Sequence, residues 1–215
     1  MSDRPSTVVH LVRHGEVDNP SRVLYGRLPG FQLSALGRQM ADRVAGFLTG
    51  HDVTVVVASP LERAQQTAMP IAAAHGLDVG TDERLIEAAN HFEGKTFGVG
   101  EGSLRHPEHW RYMVNPFKPS WGEPYRQVVA RVLGAVASAR DAAQGHEAVL
   151  VSHQLPVWAT RRFVEGRPLW HDPRRRECAL ASVTSLTYLG RDLVAISYAD
   201  PAADLSRSAG SVPGA

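Results

Sequence analysis

Three short apolar runs limit what this chain can fold into more than any other feature. They are TVVHLV (7–12), VTVVVAS (53–59) and EAVLVSH (147–153). Each is rich in β-branched residues and too short for a helix, so each reads as a strand buried on both faces. Between them the apolar period changes from continuous to three or four. In LSALGRQMADRVAGFLTG (33–50), Leu36, Met40, Val44, Phe47 and Leu48 share one helical face, with Ser34 placed as N-cap and Gly50 as a stop. SPLERAQQTAMPIAAAHG (59–76) opens with Ser59 as N-cap and Pro60 in the first helical position. Pro70 lies inside that run, where a kink or a break is expected. A third helix is expected over 124–144 and a fourth over 155–166.

Strands that alternate with helices build a mainly parallel sheet covered on both faces, an α/β domain. ERLIEA (83–88) reads as a further, shorter strand, and 179–200 as a hairpin turning at Gly190–Arg191 that supplies an antiparallel edge. One domain is expected over 1–200, with 201–215 as a loose tail. Periodicity fades over 89–121, although Trp110, Tyr112, Phe117, Lys118 and Trp121 lie there. A long irregular stretch with aromatic residues reads as a lid or pocket wall.

Composition excludes several classes. A net charge of +1 over 215 residues makes no bulk case for nucleic acid or an acidic membrane. Cys178 stands alone, which excludes an internal disulfide and a cysteine-based metal cluster. No signal-like leader or membrane-length apolar stretch is legible, so a cytoplasmic location is expected. HPEH (106–109) offers two histidines but no evident third ligand, and His91 and His171 read as surface or pocket-wall residues; no metal and no cofactor is expected. DPRRRE (172–177) reads as a solvated or ion-paired loop rather than a nucleic-acid patch. Oligomeric state is not legible.

In open α/β sheets, ligands bind beyond the carboxyl ends of the strands. Arg13 and His14 follow the first strand, Ser59–Arg63 the second, and His153 the later one. Guanidinium forks match phosphate oxygens and stay charged. Next to an imidazole they favour its neutral, nucleophilic form. A backbone carbonyl near Gly15 would fix the tautomer. Attack by His14 on phosphorus would give a phosphohistidine and divide hydrolysis into two displacements. The leaving oxygen then needs a proton. Glu87 is the candidate donor, provided burial keeps it protonated, and Glu93 is the alternative.

LVRHGEVDN, SPLERAQQTA, RLIEA with the following FEG, WGEPYRQVVARV and VSHQ together resemble, in order, the signatures of the histidine phosphatase superfamily, also called phosphoglycerate mutase-like. The resemblance runs from about residue 7 to 165. It implies a three-layer α/β/α sandwich around a mostly parallel sheet. It further implies phosphate clamping by Arg13 and Arg63, a phosphohistidine at His14, support from His153, and Glu87 as proton donor. Asn19 and Gln154 occupy positions where the family lines its phosphate pocket.

The sequence also departs from the family pattern. EVDN is one residue shorter than usual before its Asn, and Gln154 and Pro156 follow His153 where Gly is usual. EAANHFEG lacks the Glu-Arg-His-Tyr-Gly run of the mutase branch. The implied activity is therefore a metal-independent phosphomonoesterase acting on a small phosphorylated substrate. A phosphomutase and a non-catalytic phospho-ligand binding module are the alternatives.

Overall fold

A computed structural model describes residues 5–96, 122–172 and 175–206. The first apolar run forms β1 (Ser6–Arg13), and the later ones form β2 (Val53–Ala58) and β4 (Glu147–Ser152). With the two-residue β3 (Gly80–Thr81) and the hairpin of β5 (Val183–Leu189) and β6 (Asp192–Ala199), they make one six-stranded sheet in the order β3-β2-β4-β1-β5-β6. β1 to β4 run parallel; β5 and β6 are antiparallel and close one edge. The hairpin turns at Gly190–Arg191 as the sequence indicates, because Leu189 pairs with Asp192.

Side-chain alternation along the strands builds two cores. Val12, Val149 and Val151 point to the face covered by α1 (Ala35–Leu48) and α2 (Glu62–His75), against Met40, Val44, Ala68 and Ile71. Val9, Leu11, Ala148 and Leu150 point to the other face, against α3 (Tyr125–Ala142) and α4 (Gln154–Val164) through Val132, Val136 and Trp158. Strands buried on both faces explain why these runs are continuously apolar. The result is the expected three-layer α/β/α arrangement. Among the described residues, no helix is long and apolar enough to cross a membrane.

Ser34 caps α1 as its sequence requires, accepting from Gly37 N at 2.9 Å. Two local expectations are corrected, for Ser59 and for 83–88, and one is narrowed, for Pro70. α2 begins at Glu62, with Leu61 rather than Ser59 in the cap position. Pro70 does not break it: the cost of an internal proline, about 3 kcal/mol, is offset by burial of the Ala64, Ala68, Ile71 and Ala72 face. Residues 83–88 do not form a strand. After Ala58 pairs with Thr81, Asp82 accepts from Arg84 N at 2.8 Å and starts a single 3-10 turn, Glu83–Leu85, that carries the chain out of the sheet.

The segment from 201 starts with a short helix, α5 (Ala203–Ser206), whose Leu205 packs against the first core. Residues 207–215 lie outside the described residues. So do 97–121, the greater part of the stretch read as a lid or pocket wall, including its four named aromatics and HPEH.

Candidate active site

The site grows out of one pair of neighbouring strands. β1 and β4 lie side by side with Arg13 in register with Ser152. The ladder continues one bond further, from His14 N to Ser152 O at 3.0 Å, so His14 and His153 leave the sheet together. Their rings meet edge to face, centroids 5.1 Å apart. Both are fully buried, a costly placement for imidazoles without defined partners.

The backbone fixes one nitrogen of His14. Its Nδ1 lies 2.7 Å from the Gly15 carbonyl oxygen, which accepts only if Nδ1 carries the proton. Nε2 is then left with its lone pair, buried and without a hydrogen-bond partner. Burial pushes the ring well below its ordinary value of 6.5, with Arg63 and then Arg13 adding to the effect. Burial, more than the neighbouring charges on which the sequence argument leaned, keeps this imidazole neutral. His153 is held low by burial too, then by Arg63. Its Nε2 lies 2.7 Å from Ser59 Oγ, and its Nδ1 is buried without a partner. Ser59, displaced from the helix cap, thus serves the site instead.

Both predicted arginines are anchored at one edge and open at the other. Arg13 donates from Nη1 to Cys178 O at 2.6 Å, while its buried Nε has no partner. Arg63 donates from Nη2 to Gly26 O at 2.6 Å, with Nε and Nη1 unpartnered and its guanidinium 4.7 Å over the Tyr25 ring. Glu87 accepts from Ala88 N through Oε1, and its buried Oε2 has no partner. Burial raises its carboxyl above the ordinary 4.5, against the pull of Ala88 N, Arg63, Arg176 and Arg13. Buried polar groups normally find partners. Here unpartnered buried atoms recur on Arg13, His14, Arg63, Glu87 and His153. One cluster with positive charge, donors, a lone pair and a carboxyl shifted upward by burial has the chemistry of an oxyanion site.

The remaining predicted residues take other positions. Asn19 spends its amide on its own loop, donating to Val23 O at 2.8 Å and accepting from Val23 N at 3.1 Å. Gln154 begins α4, and its Oε1 accepts from Arg176 Nη1 at 2.9 Å. Glu93 Oε1 accepts from Asn90 N and packs where a Cβ on Gly26 would stand, which ties it to the loop.

Sequence reasoning missed two groups. Arg176, part of the run read as a solvated loop, is partly buried and touches Gln154, His171 Nε2 (3.0 Å) and the Tyr125 hydroxyl. Burial holds His171 at about 4, so it receives the Arg176 N–H as a neutral acceptor while its Nδ1 donates to Leu169 O. No local pattern marks Arg176 as inward. The second group is a brace: Arg27 Nε donates to Glu87 O at 2.6 Å, and Glu123 pairs with both Arg27 and Arg131. The spacing of these three residues in sequence hides that they converge behind Glu87.

The pattern of the histidine phosphatase superfamily (branch 1) matches residues 9–201. The chain belongs to that family. It is 59% identical to uncharacterized protein Rv0525 of Mycobacterium tuberculosis over 92% of this chain and 98% of the relative. It is 33% identical to probable phosphoglycerate mutase GpmB of Escherichia coli, covering 81% of this chain and 83% of that one. Among solved structures, mycobacterial glucosyl-3-phosphoglycerate phosphatase Rv2419c in complex with VO3 superposes with a TM-score of 0.68 at 28% identity, over 83% of this chain and 92% of that chain.

Proposed function

We propose that the protein hydrolyses phosphomonoesters through a phosphohistidine at His14 Nε2, without a metal. The observation that carries this is the state of the His14 ring. It is buried, neutral, pinned at Nδ1 by Gly15 O, and left with an unpartnered Nε2 lone pair among guanidinium groups. Nε2 attacks phosphorus and the ester P–O bond breaks. Arg13, Arg63 and the second imidazole, His153, stabilise the equatorial oxygens as charge shifts onto them. Glu87, whose hold on its proton burial strengthens, gives that proton to the departing alkoxide. As a carboxylate it then takes a proton from the water that attacks the phosphohistidine, which releases inorganic phosphate and restores both groups.

Arg176 gives the site a third guanidinium, held by Gln154, His171 and Tyr125 rather than by a carboxylate. A leaving group with an anion of its own suits that arrangement. The mycobacterial structural neighbour is named for such a substrate, a glucosyl-phosphoglycerate.

The test is hydrolysis of an activated aryl phosphate in excess chelator, with alkali-quenched labelling from a radioactive phosphoester. Chelator-resistant turnover and an acid-labile, base-stable label on the wild type, both lost in His14→Ala, are the expected result. Retention of most activity by His14→Ala would overturn the assignment. Exchange of label between two phosphorylated substrates, in place of phosphate release, would make the protein a mutase, the activity named for the E. coli relative.

A further inference from the structure

A second cluster of chemically able side chains lies at the other end of the sheet. Glu147 opens β4, six residues before His153 and so about 20 Å from it along the strand. His10 stands in the middle of β1 and His51 in the connection after α1. Glu147 Oε2 lies 2.6 Å from His10 Nε2 and 2.8 Å from His51 Nδ1. The two nitrogens and the oxygen all fall within 4.8 Å of one another. His10 is 2% exposed, an imidazole embedded between the core residues Val9 and Leu11. Its far nitrogen, Nδ1, lies 2.8 Å from Ser185 Oγ, directly opposite in register on β5.

We propose that His10, His51 and Glu147 form a binding site for a divalent transition-metal ion, Zn2+ foremost. Two imidazole nitrogens and one carboxylate oxygen are a zinc donor set. Ligands about 2.0–2.1 Å from a tetrahedral ion stand roughly 3.3 Å apart, so the two Glu147–imidazole distances have to open by about 0.5–0.7 Å, while the two ring nitrogens already lie within 4.8 Å of each other.

The protons balance. As the side chains stand, Glu147 Oε2 accepts N–H from both rings. With an ion in that place, the His10 proton sits on Nδ1 and is donated to Ser185 Oγ, and the His51 proton sits on Nε2. A hydroxyl serves either tautomer, because it both donates and accepts. Ser185 thereby supplies the outer hydrogen bond that orients a ligating histidine. Glu147 and His51 are partly exposed, which leaves an approach for the ion and a fourth position for water.

The ion would tie together β1, β4 and the link from α1 to β2. It would act on stability and not on the reacting phosphorus, so the site is independent of the proposed hydrolysis and compatible with chelator-resistant turnover. It runs against the expectation that no metal binds, which rested on HPEH. That expectation overlooked three residues at 10, 51 and 147 because nothing in their spacing shows that they meet.

The test is titration of chelator-treated protein with Zn2+, read by calorimetry and by the thermal midpoint. The expected result is one tight site and a raised midpoint in the wild type. Affinity should fall by more than about tenfold in His51→Ala and in Glu147→Gln, and should be retained in His14→Ala, which controls for binding at the other histidine pair. His51 is partly exposed, so its variant is expected to fold, as circular dichroism will verify; if Glu147→Gln fails to fold, His51→Ala decides. No binding at micromolar Zn2+, wild-type affinity in His51→Ala, or loss of binding in His14→Ala would each overturn the proposal.

Discussion

A Cβ added to Gly37 would stand 1.9 Å from the carbonyl oxygen of Glu16. The first turn of α1 thus lies against the backbone two residues beyond His14, and a Cβ on Gly15 would stand 2.5 Å from the Gly37 carbonyl oxygen. Gly37→Ala should lower stability by about 1–3 kcal/mol, as overpacking does, and reduce turnover by displacing the loop that fixes the His14 ring. Gly46, in the same helix with open space around its Cβ position, is the control. Gly46→Ala should stabilise by up to about 1 kcal/mol and leave turnover unchanged. Thermal melts of the pair, with activity measured alongside, check this.

His14→Asn should lower aryl phosphate turnover by a factor on the order of 10⁴ or more while the protein stays folded. The fold tolerates the change because neighbouring strands, not this ring, hold the sheet. Single-turnover assays and near-UV circular dichroism check the two halves separately.

Glu87→Gln should separate substrates by leaving group. Alkyl phosphates, which need a proton on departure, should slow by roughly 10²–10⁴-fold. Activated aryl phosphates should slow far less. A plot of rate against leaving-group pKa, steeper in the variant, is the measurement. Equal losses on both would move the acid elsewhere, with Glu93 next.

The lowered values of His14 and His153 also set a stability profile. Below 6.5 their unfolded forms bind protons and their buried native forms do not. The unfolded state then holds more protons, so stability rises with pH and is lost as pH falls below 6.5. Each ring contributes up to about 1.4 kcal/mol per pH unit in that window. Urea melts from pH 7 to 5 should show a shallower slope in His14→Asn than in the wild type. Glu87 works in the opposite direction, since its native carboxyl keeps a proton above 4.5.

Arg176→Met should leave kcat/KM for a neutral aryl phosphate within a few-fold. It should weaken phosphoesters that carry a second anion by about 1.5–3 kcal/mol, the range for a hydrogen bond to a charged group. Inhibition by phosphoglycerate against inhibition by inorganic phosphate, in both proteins, reads this directly.

Much of this was legible in sequence where local chemistry decides the outcome. The strand runs, the Ser34 cap and the turn at Gly190–Arg191 follow from side-chain type and near neighbours. Arg13, His14 and His153 were placed at strand ends by the same logic, and the structure brings them together. What was not legible depends on distant partners. Ser59 looks like a helix cap until His153, ninety-four residues away, claims its hydroxyl. Residues 83–88 have strand composition, yet Asp82 and Arg84 turn the chain out of the sheet. Arg176 is one arginine in a run of three until Gln154, His171 and Tyr125 are folded against it.

The register of β1 against β4 has an evolutionary consequence. Two histidines far apart in sequence are aligned by main-chain bonds, which depend on no particular side chain. Their alignment thus makes no demand on side chains, in contrast to the seating of the His14 loop, which needs glycine at 15 and 37. Side chains around the site can differ while the paired strand ends stay where the main chain puts them.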